Sequence, residues 1–226
     1  MPGIYLIIIL VMAASWFVGY RLRSKFKKYS EVPIHAGLSG KEIAEKMLRD
    51  NFISDVRVIS AEGFLSDHYN PKDKTVNLSP EVYNGRSVAS AAVAAHECGH
   101  AVQHAQAYAW LKMRSALVPV VQISSRLVQW VLLLGVLLLS TGNAWLLIAG
   151  VVLFSLTTLF SFITLPVEFD ASRRALAWLD SVNLTAGQEH EQAKDALKWA
   201  AMTYVVAAIG SIATLLYYVS FLRGND

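Results

Sequence analysis

The chain has 226 residues and a formal net charge of only +3, with 54% hydrophobic and 16% charged residues, where an ordinary globular domain carries about a quarter charged residues. That balance, with a mean hydropathy of +0.40, excludes a purely soluble protein, and so small a basic excess, clustered beside apolar blocks, argues against nucleic acid as a partner. The single cysteine, Cys98, rules out an intramolecular disulfide and suits a reducing compartment.

In chain order, residues 3–20 ("GIYLIIILVMAASWFVGY") are uncharged and long enough to cross the hydrocarbon layer as a helix. The basic residues of "RLRSKFKK" follow this block rather than precede it, so an anchor is expected and not a cleaved signal peptide. Residues 21–115 read as a soluble domain. Within it, "LSGKEIAEKMLRDN" opens with Ser39 and has Glu42 three residues later, a capping box ahead of helically spaced Ile43, Met47 and Leu48. "VRVIS" and "TVNLS" predict short strands, and Asn70-Pro71 with Asp73 predicts a turn between them. Ser79-Pro80-Glu81 marks a helix start, and Asn84-Gly85 a break. Residues 87 to about 115 hold no proline and one glycine, which predicts a single long helix.

Two further apolar blocks, 121–140 and 144–163, are joined by "TGN". Arg126 lies near enough to one end of the first to snorkel to the interface. A polar segment, 166–199, precedes the last apolar block, 200–221. The expected organisation is therefore an anchor (1–20), a soluble domain (21–115), a transmembrane hairpin (116–165), a second polar segment (166–199) and a final span with its tail (200–226). Lys and Arg concentrate after the first block and in 166–199, while "TGN" has none. The positive-inside rule puts both polar segments at the cytoplasmic face, which brings them together.

The chemistry sits in "AAHECGHAVQH". His96 and His100 are one helical turn apart, so both imidazoles leave the same face and can reach one ion about 2 Å away. Glu97 beside them is placed to move the proton of an activated water. The surroundings are almost wholly apolar or small, and unpaired His and Glu would be costly there. His104 continues the spacing but lies about 12 Å along an unbroken helix from His96, too far to share an ion. Cys98 points to the other side of the helix, where a packed thiol is expected. The third ligand must come from another segment. Glu168 in "LPVEFDASRRALAWLD" is preferred, with Pro166 read as a helix-start residue that aims it, and with Asp170 facing away. His190 and Glu191 remain alternatives, although acids there also suit the first turn of a helix. "DHY" at 67–69 could line the cleft, with the 64–78 hairpin offering an edge to substrate and His68 or Tyr69 a donor. Ordinary strand packing explains it as well.

"SDHYNPKDKTVNLSPEVYNGRSVASAAVAAHECGHAVQHA", together with "LPVEFDASRRAL", resembles the YugP-like neutral zinc metallopeptidases of bacterial membranes over nearly the whole chain. The resemblance implies a gluzincin-type peptidase with Zn2+ as cofactor, His96, His100 and Glu168 as ligands and Glu97 as catalytic base. More distantly the chain is similar to the heat-shock and prenyl-protein membrane endopeptidases, whose third-ligand helix reads Glu-x-x-x-Asp. Ser172 stands where that Asp would be, so the partner that orients a ligand histidine is not given by the pattern.

The expected fold is a mainly α membrane protein, with four transmembrane helices and a small cytoplasmic α+β zincin-like peptidase domain. The expected function is a zinc-dependent endopeptidase of the bacterial cytoplasmic membrane, acting on polypeptides, membrane proteins among them. The rival reading is a non-proteolytic membrane adaptor with a structural zinc, which would have no use for Glu97 and would close its site with four protein ligands. A transporter is disfavoured, because the spans hold almost no ionisable residues.

Overall fold

A computed structural model describes residues 2–63 and 66–223. The chain is mostly helical. Its elements are helices α1 (Pro2–Ser30) and α2 (Gly40–Asp50), strands β1 (Arg57–Ser60), β2 (His68–Asn70) and β3 (Thr75–Leu78), and helices α3 (Pro80–Asn84), α4 (Val88–Ala105), α5 (Ala109–Leu139), α6 (Trp145–Ser181) and α7 (Gln188–Arg223). Among the described residues, four helices, α1, α5, α6 and α7, are long and apolar enough to cross a membrane. The chain divides into two compact units.

Among the described residues, one unit comprises 2–17, 112–165 and 203–223. It is built from apolar helix segments that expose large side chains, among them Trp130, Leu133, Leu137, Trp145 and Val152. Such a surface suits lipid rather than water. Inside it, Val128, Leu132 and Leu147 form a small buried cluster, with Phe154 and Tyr218 among the side chains packed against it. The α5/α6 hairpin is tight because Gly135 and Gly150 have no side chain. A Cβ on Gly135 would lie 2.6 Å from the Leu147 backbone nitrogen, and one on Gly150 would lie 2.7 Å from Leu132 Cδ2. Small residues at such contacts let apolar helices gain dispersion energy that lipid tails alone would not provide.

The other unit comprises 18–111 and 166–202. Its core wraps α4, whose Val88, Ala89, Ala91, Ala92, Ala94 and Ala95 are all fully buried. The small side chains let neighbours approach α4 on several sides. On one side stands α2, started by the capping box expected at Ser39 and Glu42 and presenting Ile43, Ala44 and Met47 to the core. The sheet has the order β1-β3-β2, with β1 parallel and β2 antiparallel to β3. The β2–β3 hairpin turns through the predicted Asn70–Asp73 segment, where Asn70 Oδ1 accepts from the Lys72 amide at 3.0 Å.

Two helix boundaries differ from the sequence reading. The long helix expected over 87–115 stops at Ala105. The Tyr108 amide donates to Gln103 O at 2.9 Å and the Ala107 amide to His104 O at 3.0 Å. Ala107 has φ of 55°. This is a Schellman closure with alanine where glycine is usual, so no composition signal marks it. Pro166, expected to start a helix, lies inside α6. The proline forfeits one helical hydrogen bond. Full burial of Val167, Ala171 and Ala175 holds the following turns in helical register.

Candidate metal centre

α4 and the 166–181 part of α6 cross at Gly99. A Cβ there would lie 2.6 Å from the Ala171 carbonyl oxygen, so only glycine permits this approach. The crossing point lies between His96 and His100 on α4 and one turn beyond Glu168 on α6. It brings His96 Nε2 to 3.3 Å and His100 Nε2 to 3.6 Å from Glu168 Oε2. One ligand-type atom from each of the three residues falls within 4.8 Å of the others. A tetrahedral zinc about 2 Å from each donor wants neighbouring donors on the order of 3.3 Å apart. Two imidazole nitrogens and one carboxylate oxygen, nearly buried and convergent, fit such an ion in donor type and spacing. Three protein donors also leave one tetrahedral position open.

Glu97 is buried and its Oε2 accepts from the Tyr69 amide at 3.0 Å. Burial pushes its carboxyl up to about 7. His96 pulls against that shift, and the Glu168 and Asp67 carboxylates add to it. A cation in the site would draw it back down. The Tyr69 amide is thus engaged by Glu97, and β2 serves here as a grip on that carboxylate. The neighbouring Asp67 accepts the Ser79 amide at 2.7 Å, which ties the start of β2 to the end of β3.

The remaining candidates lie elsewhere. His104 is exposed, and its Nδ1 sits 2.7 Å from the Tyr69 hydroxyl. Cys98 is fully buried on the opposite side of α4, its thiol 3.5 Å from Ala44 O, and burial pushes it up out of the reactive range. His190 Nδ1 meets Thr185 Oγ1 at 3.2 Å, and Glu191 pairs with Lys194. Neither joins the His96–His100–Glu168 group.

Three residues around the site carry contacts that the sequence reading missed. Ser172 Oγ lies 3.2 Å from His96 Nδ1, so the serine whose role the sequence pattern left open does meet a histidine. Gln103 Oε1 lies 3.1 Å from His100 Nδ1. Asp170 accepts from Gln103 Nε2 at 2.9 Å. The one available signal was local: Gln103 lies three residues after His100, on the same face of α4.

A family model described as "putative neutral zinc metallopeptidase" matches residues 4–223. The chain belongs to that family. Within it, the chain is 40% identical over 225 residues to "Putative membrane protease YugP" of Bacillus subtilis (strain 168), covering 98% of this chain and 99% of that protein. The match runs through the apolar helices as well as the histidine motif, so the zinc-metallopeptidase family likeness belongs to the whole membrane-type chain. No solved structure matches it.

Proposed function

We propose that this chain is a zinc-dependent membrane endopeptidase, with His96, His100 and Glu168 as metal ligands and Glu97 as general base. The observation that carries the reading is the convergence of those three side chains beside a buried carboxylate held by the Tyr69 amide. Zinc, when bound, would supply Lewis acidity, lowering the pKa of water and polarising the scissile carbonyl. Glu97 takes a proton from the attacking water on its carboxylate and delivers it to the leaving amine nitrogen. Tyr69 fixes the carboxylate through its backbone, so the base keeps its place while its charge changes. Gly99 and the alanines of α4 exclude bulk water from behind the ligands. Retaining a base in the site separates this reading from a purely structural zinc.

The polar segments around α4 and the start of α7 belong at the cytoplasmic face of the bacterial inner membrane by the distribution of Lys and Arg. Substrates are polypeptides reaching that face, membrane proteins among them. The zincin-like α+β domain would then lie in the cytoplasm.

Zinc content and peptide hydrolysis of the purified full-length chain test the proposal. Glu97→Gln is expected to keep one zinc per chain and to lose activity by about 10²- to 10⁴-fold. Glu168→Ala is expected to lose zinc, and His104→Ala to keep it. Zinc lost from His104→Ala and kept by Glu168→Ala would refute the ligand set. For topology, cysteines placed at Lys27 and Lys194 in a Cys98→Ala background should resist an impermeant thiol reagent in intact cells, and one at Asn143 should react. The reverse pattern would put the site on the other face.

A further inference from the structure

We infer that Gln103 is a positioning residue for the metal site: it holds His100 in the tautomer whose Nε2 is free to ligate. This inference rests on reading His96, His100 and Glu168 as zinc ligands. Gln103 is fully buried, with none of its surface exposed, on a helix whose other buried residues are mostly alanine and valine. Its amide group is committed at both ends. Nε2 donates to Val167 O at 2.8 Å and to Asp170 Oδ2 at 2.9 Å. Both partners only accept, so the NH2 end must face α6 and Oε1 must face His100. An oxygen 3.1 Å from His100 Nδ1 then needs a proton on that nitrogen. The proton on Nδ1 leaves the Nε2 lone pair directed toward Glu168, 3.6 Å away.

Asp170 anchors the chain of contacts from the far side. Its carboxylate also receives Arg174 Nε at 2.5 Å and Arg173, so its charge is matched before Gln103 reaches it. His96 has a different support. Ser172 Oγ meets His96 Nδ1, and a hydroxyl can donate or accept, so it does not by itself choose a tautomer. The two ligand histidines are therefore held unequally, with His100 the pre-set one. Partners of this kind typically contribute about 10- to 100-fold in metal affinity.

The test uses the full-length protein in detergent, with zinc affinity read by chelator competition and zinc stoichiometry read separately. Gln103→Leu, close in volume, should bind zinc about 10- to 100-fold more weakly while still reaching one zinc per chain. A merely structural role would lower the binding-competent fraction and leave the affinity of the rest unchanged. Asp170→Asn should lose less, because Nε2 keeps the Val167 carbonyl and the new side-chain oxygen as acceptors. Histidine-selective ¹⁵N spectra of zinc-loaded wild type need no variant to fold: His100 should show a protonated Nδ1 and a metal-bound Nε2. Ligation of His100 through Nδ1, or wild-type zinc affinity in Gln103→Leu, would overturn the inference. Wild type that binds no zinc at all would instead bring down the metal-site reading on which it stands.

Discussion

Two helix crossings in this molecule use the same device for different ends. In the apolar unit, Gly135 lets α5 sit against the Leu147 backbone of α6. Around it are leucines and valines whose exact placement carries no chemistry. In the other unit, Gly99 lets α4 sit against Ala171 of α6, and the residues flanking that contact are His96, His100 and Glu168. Both contacts would place an added Cβ at the same 2.6 Å from backbone atoms. The first crossing sets a packing distance; the second sets the distance between the side chains proposed as ligands. Equal steric insults should therefore have unequal functional consequences.

Gly99→Ala is the sharpest way to break the comparison. The obstructing atom is a backbone carbonyl rather than a flexible side chain, so α4 and α6 must part. Overpacking of this kind costs about 1–3 kcal/mol. A shift of a few tenths of an ångström moves Glu168 relative to both histidines. Zinc affinity is expected to fall at least about tenfold, in line with losses from misplaced ligand supports. Chelator competition on the purified variant measures it. Unchanged affinity would mean that the ligand geometry tolerates the separation and that Gly99 matters only for packing.

Gly135→Ala is the matched control. The same order of destabilisation, about 1–3 kcal/mol, is expected in unfolding from detergent, with zinc affinity unaltered. A loss of zinc in this variant would show that the two crossings are not independent.

Much of this contrast could be read from the sequence. The four apolar blocks stand out by length and lack of charge, and the i, i+4 spacing of His96 and His100 fixes their common face. The capping box at Ser39 and Glu42 forms as its local pattern requires. What stayed hidden depends on contacts between distant residues. Nothing near Gly99 says that Ala171 will lie against it, and a lone glycine in a helix reads only as a weak point. Pro166 reads as a helix start because local rules see the missing amide and not the burial of Val167 and Ala171. Gln103 reads as one more polar residue until Asp170 and Val167 arrive from α6. Ser172 reads as a gap in a pattern until His96 is beside it.

Asp67→Asn probes the site's unit without touching the crossing. Burial holds the Asp67 carboxyl above its ordinary value, although the Ser79 amide and hydroxyl favour its charged form. A carboxyl raised on folding binds its proton more tightly in the folded state. Its contribution is thus fully present below the unfolded pKa, about 3.9, and declines as pH rises through the raised folded value. Asparagine keeps an acceptor for the Ser79 amide and carries no charge. Asp67→Asn should therefore flatten the fall in stability as pH rises above about 4, with a change at neutral pH within about 1 kcal/mol. Denaturation midpoints across pH measure it. An unchanged slope would assign the pH dependence to other groups.

The smallest effect is expected where the helix that carries the histidines ends. Ala107 adopts φ of 55°, a conformation that costs an L-residue about 1–2 kcal/mol and glycine almost nothing. The residue is exposed, so its methyl group gives little packing in return. Glycine also widens the unfolded ensemble, which takes back about 0.4–1 kcal/mol. Ala107→Gly should therefore stabilise the protein by roughly 0.5 kcal/mol, read as a small rise in the denaturation midpoint. Zinc affinity should not change, because the amides of Ala107 and Tyr108 still close the helix on His104 and Gln103, leaving His100 and its Gln103 partner as they are. A destabilised variant would show that the Ala107 side chain packs in a way its exposure does not suggest. A weakened zinc site would show that the end of α4 sets the position of Gln103, which would carry the comparison from the crossing at Gly99 to the terminus of the same helix.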